Sequence, residues 1–300
     1  MMLKAVDYRH VQKAALGVHN VEVALSTAVG ERKFSAILTN TFIYLKPIIA
    51  LDCIVRNGDG QCMGYAGGKG RLWQDIVSLM PPHDTYIETH LGGGAIMRNK
   101  RPARVSVGID VDEDVIRAAS VWDVPGLVLH HADALAFLSG YAFDGRELVY
   151  LDPPYVAATK KNRRYYRHEY SDEDHCKLLD AVLQLRCRVM ISGYPSPLYE
   201  QALRGWEVKE LVNVSHAGLR RERIWANFEF SPDLHDYAPI GGSFRERERI
   251  RRKTSRWVHK LAQLPDLERR AVLAALIQSS DIEPDFAQHL IAGRKREAAV

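Results

Sequence analysis

Short apolar runs alternate with helical stretches through the middle of this chain, and this alternation limits the possible folds more than any other feature. The runs predict strands near residues 85, 105, 127, 148, 188 and 222. Between the fourth and fifth strands, residues 172–185 carry leucine and valine side chains at helical spacing, which predicts a helix with one face on a sheet. Strands and helices that alternate in this way predict an α/β fold with a mostly parallel sheet and helices on both faces.

The most specific motif follows the fourth of these strands. The apolar run 148–151 leads directly into Asp152-Pro153-Pro154-Tyr155, and open α/β sheets bind ligands outside the carboxyl ends of their strands. The two prolines remove two N–H donors, which leaves carbonyl oxygens and the Asp152 carboxylate as a rigid set of acceptors. Such a set suits an NH2 group, and Tyr155 can stack on a nucleobase. An ordinary Pro-Pro turn is the alternative interpretation.

A glycine-rich turn follows an earlier strand. Residues 86–91 lead into Gly92-Gly93-Gly94, where the backbone can approach a ligand closely. The triplet differs from the spaced glycines of dinucleotide folds, so it favours a nucleoside over a pyrophosphate cofactor. The next strand ends at Asp110, roughly 20 residues beyond the glycines, where a ribose ligand is expected. Asp112 is the competing candidate, and a helix N-cap is the alternative role for either.

A third carboxylate, Asp133, follows the predicted strand 127–131. It could hold the amino group of an adenine, and a helix N-cap explains it equally well. His130 and His131 are adjacent, but neighbouring residues of a strand point to opposite faces, so we expect no shared metal ion. The cysteines, which are Cys53, Cys62, Cys176 and Cys187, form no C-x-x-C pair. They indicate neither a zinc site nor a disulfide framework and suit a reducing cytoplasm.

Taken in order, these motifs resemble the S-adenosylmethionine-dependent DNA adenine-N6 methyltransferases of the Dam-like, phage-associated kind. The resemblance covers residues 63 to 230 approximately. Its elements are Tyr65-Ala66-Gly67-Gly68-Lys69, the segment from Glu88 to Gly94, Gly108-Ile109-Asp110, Asp133 and Asp152-Pro153-Pro154-Tyr155. Segments 188–194 and 222–227 resemble later strands of the family. Thr89-His90 departs from the pattern, because the family usually carries Pro-Phe there.

The resemblance implies a Rossmann-like methyltransferase sheet, S-adenosylmethionine as methyl donor, and no metal. The implied cofactor-binding residues are Tyr65, Lys69, Glu88, Gly92, Gly94, Asp110, Asp133 and Asp152. The implied catalytic residues are Asp152, Pro153, Pro154 and Tyr155. The methyl group would pass directly to N6 of an adenine flipped out of duplex DNA. The alternatives are an enzyme that methylates RNA adenine-N6 or DNA cytosine-N4, or an inactive relative that binds nucleic acid.

Two basic segments are candidates for nucleic-acid contact, because too few residues separate the glycine turn from Asp152 to hold an inserted recognition domain. The first follows the catalytic tetrapeptide, and the second is a predicted arginine-rich helix from Phe244 to Lys260. Basic side chains neutralise phosphates, and asparagine or arginine can read base edges. The candidates are Lys160, Lys161, Asn162, Arg163, Arg164, Arg167, Arg251 and Arg252. A solvated surface is the alternative for both segments.

The whole chain of 300 residues predicts three regions. Residues 1–62 are predicted to form an N-terminal extension, which by hypothesis lies outside the fold. Residues 63–235 are predicted to form the methyltransferase domain, and residues 236–300 a helical, basic C-terminal region. A net charge of +4 supports polyanion binding only weakly. The sequence has no stretch long and apolar enough for a transmembrane helix and no secretion signal, which predicts a cytoplasmic protein. We expect double-stranded DNA as partner, and a cognate restriction nuclease is a further candidate.

Overall fold

The computed structural model describes residues 21–27, 30–36, 55–56, 62–63, 68–159, 167–215 and 218–279. The chain divides into two compact units, Met1–Leu51 and Asp52–Val300. In the first unit, β1 (Val21–Thr27) and β2 (Gly30–Ala36) pair antiparallel. The boundaries after residues 62 and 235 stay predictions.

The second unit contains a seven-stranded sheet within its described residues. A separate short antiparallel pair, β3 (Val55–Arg56) and β4 (Cys62–Met63), precedes it. The strands of the sheet are β5 (Thr85–Glu88), β6 (Val105–Asp110), β7 (Leu127–His131), β8 (Glu147–Leu151), β9 (Arg188–Gly193), β10 (Glu207–Ser215) and β11 (Gly218–Ala226). Their spatial order is β10-β11-β9-β8-β5-β6-β7. Strands β9, β8, β5, β6 and β7 run parallel, and β11 lies antiparallel to both β9 and β10.

The order of the strands reverses between β5 and β8. The chain proceeds from β5 outward to β6 and β7, then returns to β8 on the other side of β5. Such a switch point opens a ligand crevice at the carboxyl ends of the two central strands. Here those ends are Glu88 and Leu151, and Leu151 directly precedes the Asp-Pro-Pro-Tyr tetrapeptide. The predicted fold class, an α/β Rossmann-like fold with a mostly parallel sheet, is confirmed.

Helices cover both faces of this sheet. They are α1 (Trp73–Val77), α2 (Ala95–Asn99), α3 (Glu113–Ala119), α4 (Ala134–Gly140), α5 (Asp172–Leu183) and α6 (Pro197–Ala202). Because successive strand side chains point to opposite faces, Tyr86 and Tyr150 pack with α1 to α3. Ile87 and Val149 pack with α4 to α6 on the other face. The core is therefore two apolar layers divided by the sheet.

The sequence located most of these strands but not β10. Residues 207 to 212 mix charged and apolar side chains, and Val208 and Val212 are exposed. An edge strand with one solvated face lacks the continuous apolar run that marks a buried strand. Helix α5 also ends at Leu183 rather than at the predicted Leu185, while Ser171 and Asp174 form a capping box at its start.

Two exposed helices follow the sheet, α7 (Phe244–Ala262) and α8 (Asp266–Gln278). Helix α7 covers the predicted helix from Phe244 to Lys260 and extends to Ala262, while α8 lies in the region predicted to be helical. Neither helix has a buried side chain. Trp257 of α7 is 57% exposed. None of the helices among the described residues has the length and apolarity to cross a membrane.

A pair of stacked histidines connects the segment after β11 to the loop before β5. The rings of His83 and His235 stack with centroids 3.8 Å apart, and His235 contacts the carbonyl of Arg101 through Nε2 at 3.0 Å. Burial, reinforced by the nearby positive charge of Lys100, lowers the pKa of His235 to about 3. Burial also lowers the pKa of His83 well below its ordinary value. Both rings are therefore neutral in the folded protein at neutral pH.

We expect the His235→Gln variant to lose less stability on acidification than the unmodified protein. An unfolded histidine has a pKa of 6.5, so as the pH falls below that value the unfolded state takes up the proton first. His235 therefore contributes to the free energy of unfolding above pH 6.5, and this contribution is lost as the pH falls towards 3. The free energy of unfolding falls by at most ~1.4 kcal/mol per pH unit for this residue. Urea denaturation across this range measures the slope. His130→Gln, at an exposed histidine, is the control, and equal slopes in both variants would contradict the prediction.

Candidate active site

A cleft with an empty volume of about 850 Å³, part of it open to solvent, lies at the carboxyl ends of the central strands. The cleft brings together every cofactor-binding residue predicted from the sequence except Tyr65, which lies outside the described residues. These are Lys69, Glu88, Gly92, Gly94, Asp110, Asp133 and Asp152.

The glycine turn forms one wall of this cleft. Gly92 and Gly94 have φ angles of 47° and 61°, in the left-handed region that favours glycine. A side chain at Gly94 would also meet the ring of Trp122, because a Cβ there would lie 2.1 Å from Cη2. The turn is therefore restricted to glycine both by its backbone angles and by the packing behind it.

Asp110 joins the glycine turn to the end of β6. Its carboxylate accepts hydrogen bonds from the backbone N–H groups of Gly92 and Asp112, each at 2.9 Å. Burial raises the pKa of Asp110, and these two bonds oppose the rise. A carboxylate has about four acceptor positions, so Asp110 can accept further bonds from a ligand. The competing candidate, Asp112, instead caps α3 by accepting from the N–H of Asp114 at 3.0 Å.

Asp133 caps a helix, and its role in binding an adenine amino group stays a prediction. Its Oδ1 accepts from the N–H of Ala136 at 2.9 Å, which makes Asp133 the N-cap of α4. The residue also lines the cleft. A capping carboxylate at the carboxyl end of a parallel strand can face a ligand at the same time, because helix starts and strand ends meet at this edge of the sheet.

Asp152 is held in place from two sides at the end of β8. Lys69 Nζ donates to Oδ1 at 2.7 Å and to Oδ2 at 2.8 Å, and Ser192 Oγ on β9 donates to Oδ1 at 2.7 Å. Burial raises the pKa of Asp152, and the Lys69 ammonium opposes that rise. Pro154 lines the cleft beside Asp152, whereas Pro153 is buried behind it.

Lys69 also connects Asp152 to Tyr155 and Glu222. Its ammonium donates to the Tyr155 hydroxyl at 2.8 Å and lies 3.4 Å from Glu222 Oε2. The Tyr155 hydroxyl in turn donates to Glu222 Oε2 at 3.1 Å. The side chains of Lys69 and Glu222 are only 3% and 5% exposed. Burial favours the neutral form of Lys69, but the two carboxylates outweigh burial and raise its pKa, so the ammonium keeps its charge.

Sequence reasoning missed Glu222 as a site residue. It appeared only as the first residue of a segment resembling a later strand. A signal was present, because Glu222 shares a strand face with Ile224 and Ala226, both fully buried. A carboxylate on the inward face of a buried strand requires a charged or hydrogen-bonding partner.

Thr89-His90, the departure from the family pattern, still places an aromatic ring at the cleft. His90 Nδ1 contacts Thr89 Oγ1 at 2.9 Å, and His90 Nε2 contacts the Tyr170 hydroxyl at 3.1 Å. Burial lowers the pKa of His90 to about 3, so the imidazole is neutral. Leu91 is buried in the core beneath the turn. The loop is thus packed on both sides without the usual Pro-Phe pair.

Glu88, at the end of β5, is buried and lines the cleft. The Tyr86 hydroxyl donates to its Oε2 at 3.0 Å. Burial raises the pKa of Glu88 to about 8, and the negative charge of Asp152 adds to the rise. At neutral pH the cleft therefore contains a mostly protonated carboxyl that can donate a hydrogen bond.

The candidate nucleic-acid contacts are only partly within the described residues. Residues 160–166 lie outside them. Arg167 lines the cleft, and its guanidinium donates to the carboxylates of Asp112 and Asp114 at 2.9 and 3.0 Å. Arg251 and Arg252 lie on the exposed surface of α7, and both pair with Glu248.

The described residues contain no group of three or more histidine, cysteine or acidic side chains placed to hold a metal ion. The absence of a metal from the reaction stays a prediction.

Comparison with known proteins gives structural neighbours alone. No family model matches the chain, and no curated protein matches its sequence. An rRNA methylase from Streptococcus thermophilus is similar at 10% identity over 52% of this chain and 93% of that chain, with a TM-score of 0.35. A dimethyladenosine transferase from Plasmodium falciparum is similar at 12% identity over 75% of this chain and 95% of that chain, with a TM-score of 0.34. Similarity this low does not identify a cofactor or a substrate, which must be argued from the residues of the site.

We expect the Gly94→Ala variant to be less stable than the unmodified protein. The left-handed backbone alone costs an alanine about 1–2 kcal/mol, and the contact with Trp122 adds to this. Chemical denaturation measures the change in the free energy of unfolding. Gly140→Ala is the matched control, because an added Cβ there has no atom within 4 Å. Similar stability of the two variants would show that the turn tolerates a side chain.

Proposed function

We propose that this protein is an S-adenosylmethionine-dependent methyltransferase that methylates N6 of an adenine in duplex DNA. The observation that carries the proposal is the position of Asp152 in the same cleft as the glycine turn and Asp110. A nucleoside-type methyl donor and an acceptor for an amino group would then be neighbours. The Asp-Pro-Pro-Tyr sequence favours an amino group on a nucleobase as the substrate.

The residues of the cleft fit the proposed cofactor. Asp110 would accept hydrogen bonds from ribose hydroxyls, Asp133 would accept from an adenine amino group, and the glycine turn would let the ligand approach the backbone. Glu88, protonated or ionised, can bond to the polar end of the ligand. When bound, S-adenosylmethionine supplies an electrophilic methyl group on a sulfonium, and breaking the S–CH3 bond leaves the sulfur as a neutral thioether.

Asp152 and main-chain carbonyls of the adjacent prolines would accept the two hydrogens of the adenine amino group. Holding these hydrogens favours a pyramidal nitrogen, whose lone pair is then available as a nucleophile. Lys69 and Ser192 fix the orientation of the carboxylate, so the acceptor is preorganised before the base arrives. Once the methyl group is on N6, the nitrogen has one proton too many, and Asp152 or water would take it.

Duplex DNA as substrate is the finer part of this proposal. The amino group of a paired adenine is inaccessible, so the base would have to be flipped into the cleft. The basic side chains of residues 160–167 and of α7 would neutralise phosphates of the duplex. Stacking of the base on Tyr155 also stays a proposal: its ring is 7% exposed and lies against Tyr194 with centroids 4.2 Å apart.

Transfer of labelled methyl from S-adenosylmethionine to duplex DNA tests the function directly. We expect N6-methyladenine as product, and a loss of turnover of at least ~10²-fold in the Asp152→Ala variant, because a preorganised polar partner of the transition state is removed. Asp144→Ala is the matched control, since Asp144 is exposed and pairs with Arg146, two residues along the chain. If ribosomal RNA were methylated and DNA were not, RNA would replace duplex DNA as the proposed substrate. Normal turnover in Asp152→Ala would refute the role of this residue.

We expect replacement of Arg251 and Arg252 by alanine to weaken the salt dependence of DNA binding. Each phosphate contact contributes about 0.9 to the slope of log affinity against log salt concentration, so the slope should fall by up to ~2. Affinity measured at several salt concentrations gives the slope. Arg269→Ala with Arg270→Ala on α8 is the control, because these two arginines are also ion-paired within their own helix. An unchanged slope in the α7 variant would exclude these phosphate contacts.

A further inference from the structure

Glu222 is a buried carboxylate for which the proposed reaction has so far supplied no role. It lies on β11, and its Oε2 meets both the Lys69 ammonium and the Tyr155 hydroxyl. Burying an ionised carboxylate is costly unless it is paired and hydrogen-bonded. The partners of Glu222 are two residues of the site, so its charge acts directly on the site.

Lys69 is shared between two carboxylates. Its contacts to Asp152, at 2.7 and 2.8 Å, are shorter than its 3.4 Å distance to Glu222. A single ammonium cannot neutralise two carboxylates, so the three groups together have an excess of one negative charge when both acids are ionised. That excess is what Asp152 can offer to the hydrogens of an incoming amino group. Without Glu222, the ammonium would neutralise Asp152 alone and weaken it as an acceptor.

Tyr155 is oriented by the same group. Its hydroxyl accepts from Lys69 and donates to Glu222, so both directions of its hydrogen bonding are occupied. This arrangement fixes the ring of Tyr155 relative to Asp152, three residues earlier in the same loop. Glu222 therefore affects both the acceptor and the aromatic residue of the catalytic tetrapeptide.

We propose that Glu222 is a positioning residue of the methyl-transfer site, which strengthens Asp152 as a hydrogen-bond acceptor by sharing Lys69 and which fixes the Tyr155 side chain. The inference rests on the proposed function and adds a residue to it. Glu222 is not among the residues that line the cleft, so it would act through its contacts with Lys69 and Tyr155.

The Glu222→Gln variant tests the proposal, because glutamine keeps the shape and an acceptor for Tyr155 but removes the charge. We expect kcat to fall by about tenfold or more, the loss associated with one hydrogen bond to a charged group, while KM for S-adenosylmethionine stays unchanged. The negative charge of Glu222 raises the pKa of Asp152, after the larger effect of burial. The acid limb of the pH profile of kcat should therefore move to lower pH in the variant.

A residue that only supported the fold would lower kcat equally at every pH and leave the acid limb in place. Glu210→Gln is the matched control, since Glu210 lies on the neighbouring strand β10 and pairs with Arg221 and Arg223 at the surface. Glu222→Asp, which restores the charge, should return the acid limb to its original position. If the acid limbs of the pH profiles coincided in Glu222→Gln and the unmodified protein, the proposal would be overturned.

A second measurement does not depend on methyl transfer. The carbon resonance of the Asp152 side-chain carboxyl, identified with an Asp152→Asn variant, reports its titration in the protein without substrate. The other titratable groups around Asp152 are the same in both proteins; they are Lys69, Glu88, Tyr86, Tyr150 and Tyr199. We expect a lower titration midpoint in Glu222→Gln. An unchanged midpoint would overturn the coupling even if the enzyme is active. If the unmodified protein transferred no methyl group but the midpoint was lower in Glu222→Gln, the proposed function would be refuted. The coupling of Glu222 to Asp152 would still be supported.

Discussion

The ammonium of Lys69 holds together three parts of the site that are distant in the sequence. Lys69 precedes α1, Asp152 follows β8 and Glu222 lies in β11. Lys69 and Glu222 are almost fully buried where the three side chains meet, and Asp152 lies at the edge of the cleft. Isolated, each of these charges would be expensive to remove from water, and loss of one partner of a buried pair typically costs 3–5 kcal/mol. The geometry of the Asp-Pro-Pro-Tyr loop therefore depends on the same ion pairs that determine the charge of the cleft beside it.

The strand order explains why these groups can meet. The central strands β5 and β8 end side by side, so Glu88 and Asp152 enter one cleft although many residues separate them in sequence. The glycine turn closes the cleft from β5, and Asp110 bonds that turn to the end of β6. Each carboxylate belongs to a different strand end. The sheet determines their spacing, while the loops supply the groups that hold each carboxylate in orientation.

The sequence could predict the fold and most of the cleft for one reason. Parallel strands are buried on both faces and so appear as continuous apolar runs, and a polar residue immediately after such a run must lie at the ligand edge. Asp110, Asp133 and Asp152 were found in this way, and the cleft contains all three. The choice between Asp110 and Asp112 needed the structure, because a helix cap and a ligand contact use the same residue types at the same place. Strand β10 was missed because it is a half-exposed edge strand without a continuous apolar run. Glu222 was missed because it is a charged residue in the middle of a strand and not at its end.

The antiparallel strand β11 has a consequence for the order in which the site is completed. It enters the sheet between β9 and β10, both of which precede it in the chain, and chains begin to fold from the N-terminus during synthesis. Lys69 and Asp152 leave the ribosome well before Glu222. A nascent chain that has folded its parallel strands would hold the lysine and the aspartate as a simple pair with no surplus charge. The site reaches its final electrostatic state only when the last strand is inserted, which links its maturation to completion of the sheet.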